Sequence, residues 1–188
     1  MYELTRSNDP VFLSYLTSEL AAEGIEALLL DTFGASALSS VNVTALGRVM
    51  VAEEDVGLAE AVLAEAEGRV SEDTILNGRV TLLQPTRGFR AAIDPVLLAA
   101  SVPARNGDRI LDVGTGSGAA ALALLARTPW IWVTGIDIQA DLVHLARLSA
   151  RRNDAGERAQ FNVVDIADAA AFQSAPYDHV MSNPPFLD

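Results

Sequence analysis

Apolar residues recur along this chain in two rhythms, and the change falls near position 68. In the first stretch, YELTRS predicts a strand. Asn8-Asp9-Pro10 then joins a capping side chain to a first-turn proline, a helix-start signal. In FLSYLTSELAAEG the apolar residues Phe12, Leu13, Leu16 and Leu20 share one helical face, and Gly24 ends the helix. IEALLLDTF predicts a second strand, GASALSS a Gly/Ser-rich loop and RVMVAEED a third strand. VGLAEAVLAEAEG predicts a second helix with Leu58, Val62 and Leu63 on one face. The βαββα order predicts a small ferredoxin-like α+β layer over residues 1–68.

The second rhythm occupies residues 69–188. RVSEDTILNG connects the two modules. Its Asn77-Gly78 is a hairpin-turn signal, with RVTLLQ as the return strand. Asp94-Pro95 marks a helix start, with VLLAASV as the helix body. From Arg109 strands and helices alternate. RILDVG runs through a glycine loop into the helix GTGSGAAALALLAR, which should begin near Ser117. WVTGIDI, AQFNVVDI and YDHVMSN predict three more strands. ADLVHLARLSARRN and the short ADAAAF are the helices between them. Such alternation predicts an α/β, Rossmann-like parallel sheet with covered faces.

Charge sharpens the division. Residues 1–75 carry 3 Arg against 14 Asp and Glu, a balance of −11. Residues 76–188 carry 10 Arg against 11 acids, a balance of −1, and the protein has no Lys. The acidic module would repel a phosphate backbone, whereas the neutral one could hold it locally through Arg. Arg151, Arg152 and Arg158 form a small basic cluster, which a helix C-terminus explains equally well. No Cys is present and only His144 and His179 are available, so neither disulfides nor a metal site are expected. The start has no signal-peptide pattern and no apolar run is long enough for a membrane span, which predicts a cytoplasmic protein with no membrane partner.

Two motifs carry candidate chemistry. LDVGTGSGA places Gly114, Gly116 and Gly118 at alternate positions between a strand and a helix. Without Cβ atoms that backbone can turn tightly and approach a ligand at a helix N-terminus. A P-loop is excluded because it needs Lys. A dinucleotide site remains possible, with Gly114, Gly116 and Ala119 as its G-x-G-x-x-A. Asp137 closes the second strand about twenty residues on, where a carboxylate can accept hydrogen bonds from both ribose hydroxyls. Asp94 can cap its helix and also line the same cleft.

The second motif is Asn183-Pro184-Pro185-Phe186, after the fourth strand. Ligands bind at the carboxyl ends of strands in open α/β sheets. Strands one and four of this module should be neighbours, so the motifs converge although some 65 positions apart. An amide or exocyclic nitrogen is a poor nucleophile because its lone pair is delocalised. The Asn183 side-chain oxygen and the Pro184 carbonyl can each accept one of its protons, favouring a more pyramidal nitrogen. Two prolines stiffen the loop, and Phe186 can stack on a planar substrate.

The GxGxG run preceded by Asp112 resembles the nucleoside-binding loop of S-adenosylmethionine-dependent methyltransferases. GRVTLLQPTRGFRAAIDPVLLAASVP, ILDVGTGSGAAALALLAR and SNPPF together resemble the bacterial tRNA1(Val) adenine-37 N6-methyltransferase family over roughly residues 70–188. The resemblance implies S-adenosyl-L-methionine as cofactor. It assigns Gly114, Gly116, Gly118, Asp137 and Asp165 to that cofactor, with Asp165 at the adenine amine; Asp112, just before the loop, and Asp94, which could line the cofactor's methionine end, are the further cofactor candidates. Asn183, Pro184, Pro185 and Phe186 would meet the target base, displayed by a tRNA anticodon loop. Glutamine-N5 methylation of a protein uses the same acceptor pair, and a cofactor- or metabolite-sensing module is a non-enzymatic alternative.

RSNDPVFLSYLTSELAAEGIEALLLD with RVMVAEEDVGLAEAVLAEA resembles a small bacterial signal-transducing domain family, which implies no site residues and does not name a partner. A complete methyltransferase domain of this class has seven strands in the order 3-2-1-4-5-7-6. Residues 69–188 supply strands 1–4, so the expectation is an incomplete domain, inactive as it stands, with Val180 and Met181 on an unpaired edge.

Overall fold

In the computed structural model the described residues are 1–31, 46–87, 90–168 and 176–184. The GASALSS loop, ADAAAF after Asp168, and Pro185 and Phe186 lie outside them. The chain divides into two compact units, Met1–Gly68 and Arg69–Asp188.

The first unit runs β1 (Tyr2–Ser7), α1 (Pro10–Ala22), β2 (Ala27–Asp31), β3 (Gly47–Val51) and α2 (Val56–Ala66). Its antiparallel sheet has the order β1-β3-β2. Asp9 caps α1 as expected, its Oδ1 accepting from the Val11 and Phe12 N–H groups, with Pro10 in the first turn. Leu13, Leu16 and Leu20 form the buried stripe of α1, and Val49 and Val51 face the interior from β3. β3 is shorter than the sequence predicts, because Glu53–Asp55 fold into a single 3-10 turn ahead of α2.

The second unit opens with the hairpin β4 (Val70–Ile75) and β5 (Val80–Pro85). Asn77 and Gly78 both take positive φ, 56° and 81°, the geometry that a tight hairpin turn requires. After α3 (Asp94–Ser101) come β6 (Arg109–Val113), α4 (Ala119–Arg127), β7 (Trp132–Asp137), α5 (Ala140–Arg152), β8 (Ala159–Val163) and β9 (His179–Ser182). The four parallel strands have the order β8-β7-β6-β9, so the first and fourth are neighbours. Among the described residues β9 pairs only with β6, and Val180 is exposed while Met181 is buried.

Residues Ala119 to Leu125 of α4 are all buried, which is how a helix apolar on every side must sit. α4 and α5 both contact β5, placing these helices between the parallel sheet and the hairpin. The free edge of β5 is closed by side chains of α5. Asn153 accepts from the Thr81 N–H at 2.9 Å and donates to the Thr81 carbonyl at 2.6 Å. The buried Ser149 hydroxyl accepts from the Leu83 N–H at 2.9 Å. A short amide thus does the work of a neighbouring strand.

Three local expectations are corrected. Ile93, not Asp94, precedes the first helical residue of α3: its carbonyl accepts from the Val96 and Leu97 N–H groups, and no side chain caps the helix. α4 begins at Ala119 rather than near Ser117, because Gly118 stands in the left-handed region with φ 87°. β8 stops at Val163, so Asp165 lies beyond the strand rather than at its end.

Candidate active site

β6 ends in the glycine loop. The Gly114 and Thr115 N–H groups both donate to the Ile136 carbonyl of β7, at 2.9 and 3.0 Å. This pins the loop's base to the neighbouring strand. Gly114 and Gly116 then turn outward with φ 71° and 55°, and a Cβ at either would meet no atom within 4 Å. The space above the loop is therefore open. Gly118 is the N-cap of α4, whose first residues, Ala119 and Ala120, line the same space.

Asp137, at the end of β7, braces this loop. Its Oδ2 accepts from the Gly116 N–H at 2.8 Å and its Oδ1 from the Gln139 N–H at 2.9 Å. A carboxylate has about four acceptor positions, so each oxygen keeps capacity for a ligand hydroxyl. Asp112 sits deeper, 2% exposed, its Oδ2 accepting from the Thr115 hydroxyl at 2.7 Å. Burial pushes its carboxyl up to about 6, with the negative charge of Asp137 adding to the effect and the Thr115 hydrogen bond opposing it.

One pocket gathers Asp112, Gly114, Gly116 and Asn183. Thr115 and Ser117 complete its loop side, and Pro85, Ala91 and Pro95 form the opposite wall. Asn183 arrives because β9 pairs with β6 in register, Val113 opposite Ser182. The Ser182 hydroxyl fastens that junction by donating to the Val113 carbonyl at 2.9 Å. Pro184 is exposed next to it.

Asp94 and Asp165 are not brought into this wall. Asp94 is exposed in the first turn of α3, where its neighbour Pro95 faces the pocket instead. Asp165 is exposed, and its Oδ1 accepts from the Ala167 N–H at 2.8 Å, closing a local turn.

Several contributors escape a motif search. Thr115 and Ser182 act through hydrogen bonds that spacing does not reveal. Gly135 gives a signal, an isolated glycine inside a strand. A Cβ there would lie 2.4 Å from Phe161 Cδ1 and 2.7 Å from Thr115 Oγ1. Phe161 therefore packs directly beneath the loop only because position 135 has no side chain. Ile138 and Ile166, which follow Asp137 and Asp165, are 64% and 62% exposed. Apolar surface so open beyond the strand ends is available to a planar ligand. No group of His, Asp and Glu suited to a metal occurs among the described residues, and no helix there is long and apolar enough to cross a membrane.

Comparison with known proteins agrees with this architecture. The family model "Putative prokaryotic signal transducing protein" matches residues 1–67, and the model "Methyltransferase small domain" matches residues 92–188. A release factor glutamine methyltransferase from Rhodospirillum rubrum is 39% identical over 150 residues, covering 74% of this chain and 44% of that protein. A tRNA1(Val) (adenine(37)-N6)-methyltransferase from an Enterobacter species is 35% identical over 101 residues, covering 53% of this chain and 41% of that protein. The protein of the same description from Aeromonas hydrophila is 38% identical over 103 residues, with the same two coverages. The chain thus spans less than half the length of these curated relatives. With a parallel β8-β7-β6-β9 sheet, a glycine loop on β6 and a family match over its second half, the chain belongs to the methyltransferase small domain family.

Proposed function

We propose that this protein is an S-adenosylmethionine-dependent N-methyltransferase whose substrate is an adenine N6 in tRNA. The observation that carries this reading is the convergence of Asn183 with Asp112, Gly114 and Gly116 on one pocket. The residues present suit the cofactor. The loop has no Cβ atoms where a ligand would approach, Asp137 has acceptor capacity for ribose hydroxyls, and Ile138 offers an apolar face for the adenine. When bound, the cofactor supplies an electrophilic methyl group on a sulfonium.

The protein's own work is at the acceptor nitrogen. The Asn183 side-chain oxygen accepts one amine proton and the Pro184 carbonyl the other, concentrating the lone pair on nitrogen. The Ser182 hydroxyl on the Val113 carbonyl fixes where Asn183 starts, so the acceptors need little rearrangement. Phe186 would stack on the base, with Pro185 stiffening the turn. Asp165, assigned to the cofactor's adenine by resemblance, and Asp94, whose position at a helix start suggests the methionine end, would both have to act from outside the present wall. The neutral charge of residues 76–188 suits a polyanionic substrate better than the acidic first unit does.

Glutamine in a release factor is the second reading, favoured by the relative that covers 74% of the chain. Calorimetric titration with S-adenosylhomocysteine tests the cofactor assignment. Transfer of labelled methyl to bulk tRNA and, in parallel, to release factor tests the substrate. Methylation of protein alone overturns the tRNA reading.

A further inference from the structure

The pocket wall opposite the glycine loop is held by a polar bracket that no catalytic role explains. Gln84, near the end of β5, is 4% exposed. Its Oε1 accepts from the Ala91 N–H at 2.6 Å, and its Nε2 donates to Asp73 Oδ2 at 3.1 Å. Arg90 closes the bracket from the other side. One of its terminal nitrogens donates to the Ser71 hydroxyl and to the Pro85 carbonyl, each at 2.9 Å. The other is paired with Asp73. Strand β4, strand β5 and the approach to α3 are thereby tied at one point. Pro85 and Ala91, both in the pocket wall, lie inside this tie, and Pro95 follows in the first turn of α3.

The ion pair of the bracket adds little to stability. Arg90 and Asp73 have side chains 36% and 35% exposed, and an ion pair so open to solvent contributes little to folding. What the fork of Arg90 does supply is direction: three acceptors are met from one planar group, which Lys cannot reproduce. The same return strand is also anchored beside α5, Thr81 by Asn153 and Leu83 by Ser149. α3, which carries Pro95, packs on α4, the helix that follows the glycine loop, so the bracket fixes the wall beside an element that borders the loop.

We propose that Gln84 and Arg90 are positioning residues for the cofactor, setting the distance between the Pro85–Ala91–Pro95 wall and the glycine loop. This inference rests on the cofactor reading above. No atom of either side chain need touch the cofactor. Their effect passes through the backbone at Ala91, whose N–H is held by Gln84.

The test measures S-adenosylhomocysteine affinity by calorimetry, with amide hydrogen exchange of the ligand-free chain, for wild type, Arg90→Lys, Gln84→Leu and Asp73→Asn. The expected result is affinity weakened about tenfold in Arg90→Lys and Gln84→Leu, equivalent to about 1.4 kcal/mol of binding. Faster exchange should be confined to Ala91 and the first turn of α3, with β6 and α4 protected as before. Asp73→Asn keeps an acceptor and should lose less. Variants that bind the ligand as wild type does overturn the positioning role alone. A loss of protection spread across β6 and α4 also overturns it, because the role would then be structural. A wild-type chain that does not bind removes the cofactor reading and this inference with it.

Discussion

Asp137 reaches from the end of β7 to the Gly116 N–H, 2.8 Å away, so the acidic residue braces the glycine loop. On the proposed reading, the residue that braces the loop would also meet the ribose. Asp137→Ala should therefore weaken S-adenosylhomocysteine binding by more than either role alone. Two charge-assisted hydrogen bonds are each worth about 1.5–3 kcal/mol, so a loss of a hundredfold or more is expected by calorimetry. Asp137→Asn, which keeps one acceptor, should fall in between.

Gly135→Ala should destabilise the second unit. The added methyl would sit 2.4 Å from Phe161 and 2.7 Å from the Thr115 hydroxyl, in a core with no room to yield. Overpacking of this kind costs about 1–3 kcal/mol, readable by urea denaturation. Trimming the ring with Phe161→Leu in the same chain should recover part of the loss, since the two positions are in contact.

Asp112 should make stability depend on pH. Burial raises its folded-state pKa to about 6, above the ordinary value of 3.8. The folded state therefore holds the proton more tightly, and stability falls as pH rises from about 4 to about 6. Two pKa units correspond to a penalty of about 3 kcal/mol, fully present at neutral pH. Asp112→Asn should flatten that part of the stability profile, measured as denaturation midpoints across the range. An unchanged slope would show that Asp112 is not the titrating group.

Asn153→Ala should loosen the hairpin. Thr81 would lose partners for both its N–H and its carbonyl, at about 1–3 kcal/mol for groups left without water. Asn153→Asp should be worse. A carboxylate can still accept from the Thr81 N–H, but it would face the Thr81 and Ser149 carbonyls with no proton to offer. Denaturation curves of the two variants distinguish these effects.

Much of this architecture can be read from local signals. The capping of α1 by Asp9, the turn at Asn77-Gly78 and the strand-loop-helix at Gly114 depend on neighbours in sequence, and each formed as its residues imply. The pairing of β9 with β6 is not local, but it follows from how parallel strands and crossover helices pack. Boundaries were less legible. NVVDI continues the apolar run of β8, yet the last ladder bond is the Val164 N–H to the Asp137 carbonyl, and Asp165 then turns its own chain. Asp94-Pro95 correctly marks α3, but the helix starts one carbonyl earlier, which leaves Asp94 outside the pocket wall. Gln84 and Arg90 lie within GRVTLLQPTRGFRAAIDPVLLAASVP, one of the stretches that carry the family resemblance, but their bracketing role is not legible there, because their partners are fixed only once the hairpin has formed.

The neighbouring position of β6 and β9 also sets an order of assembly. The Arg109 N–H bonds to Asp178 across 69 positions of sequence, whereas β6, β7 and β8 are joined by single crossovers. A ribosome delivers the whole glycine-loop side, from β6 to β8, before it delivers β9. Closing so long a loop is slower than forming the local units. On a nascent chain the glycine-loop face can therefore mature first, leaving Asn183 to dock onto a surface already made.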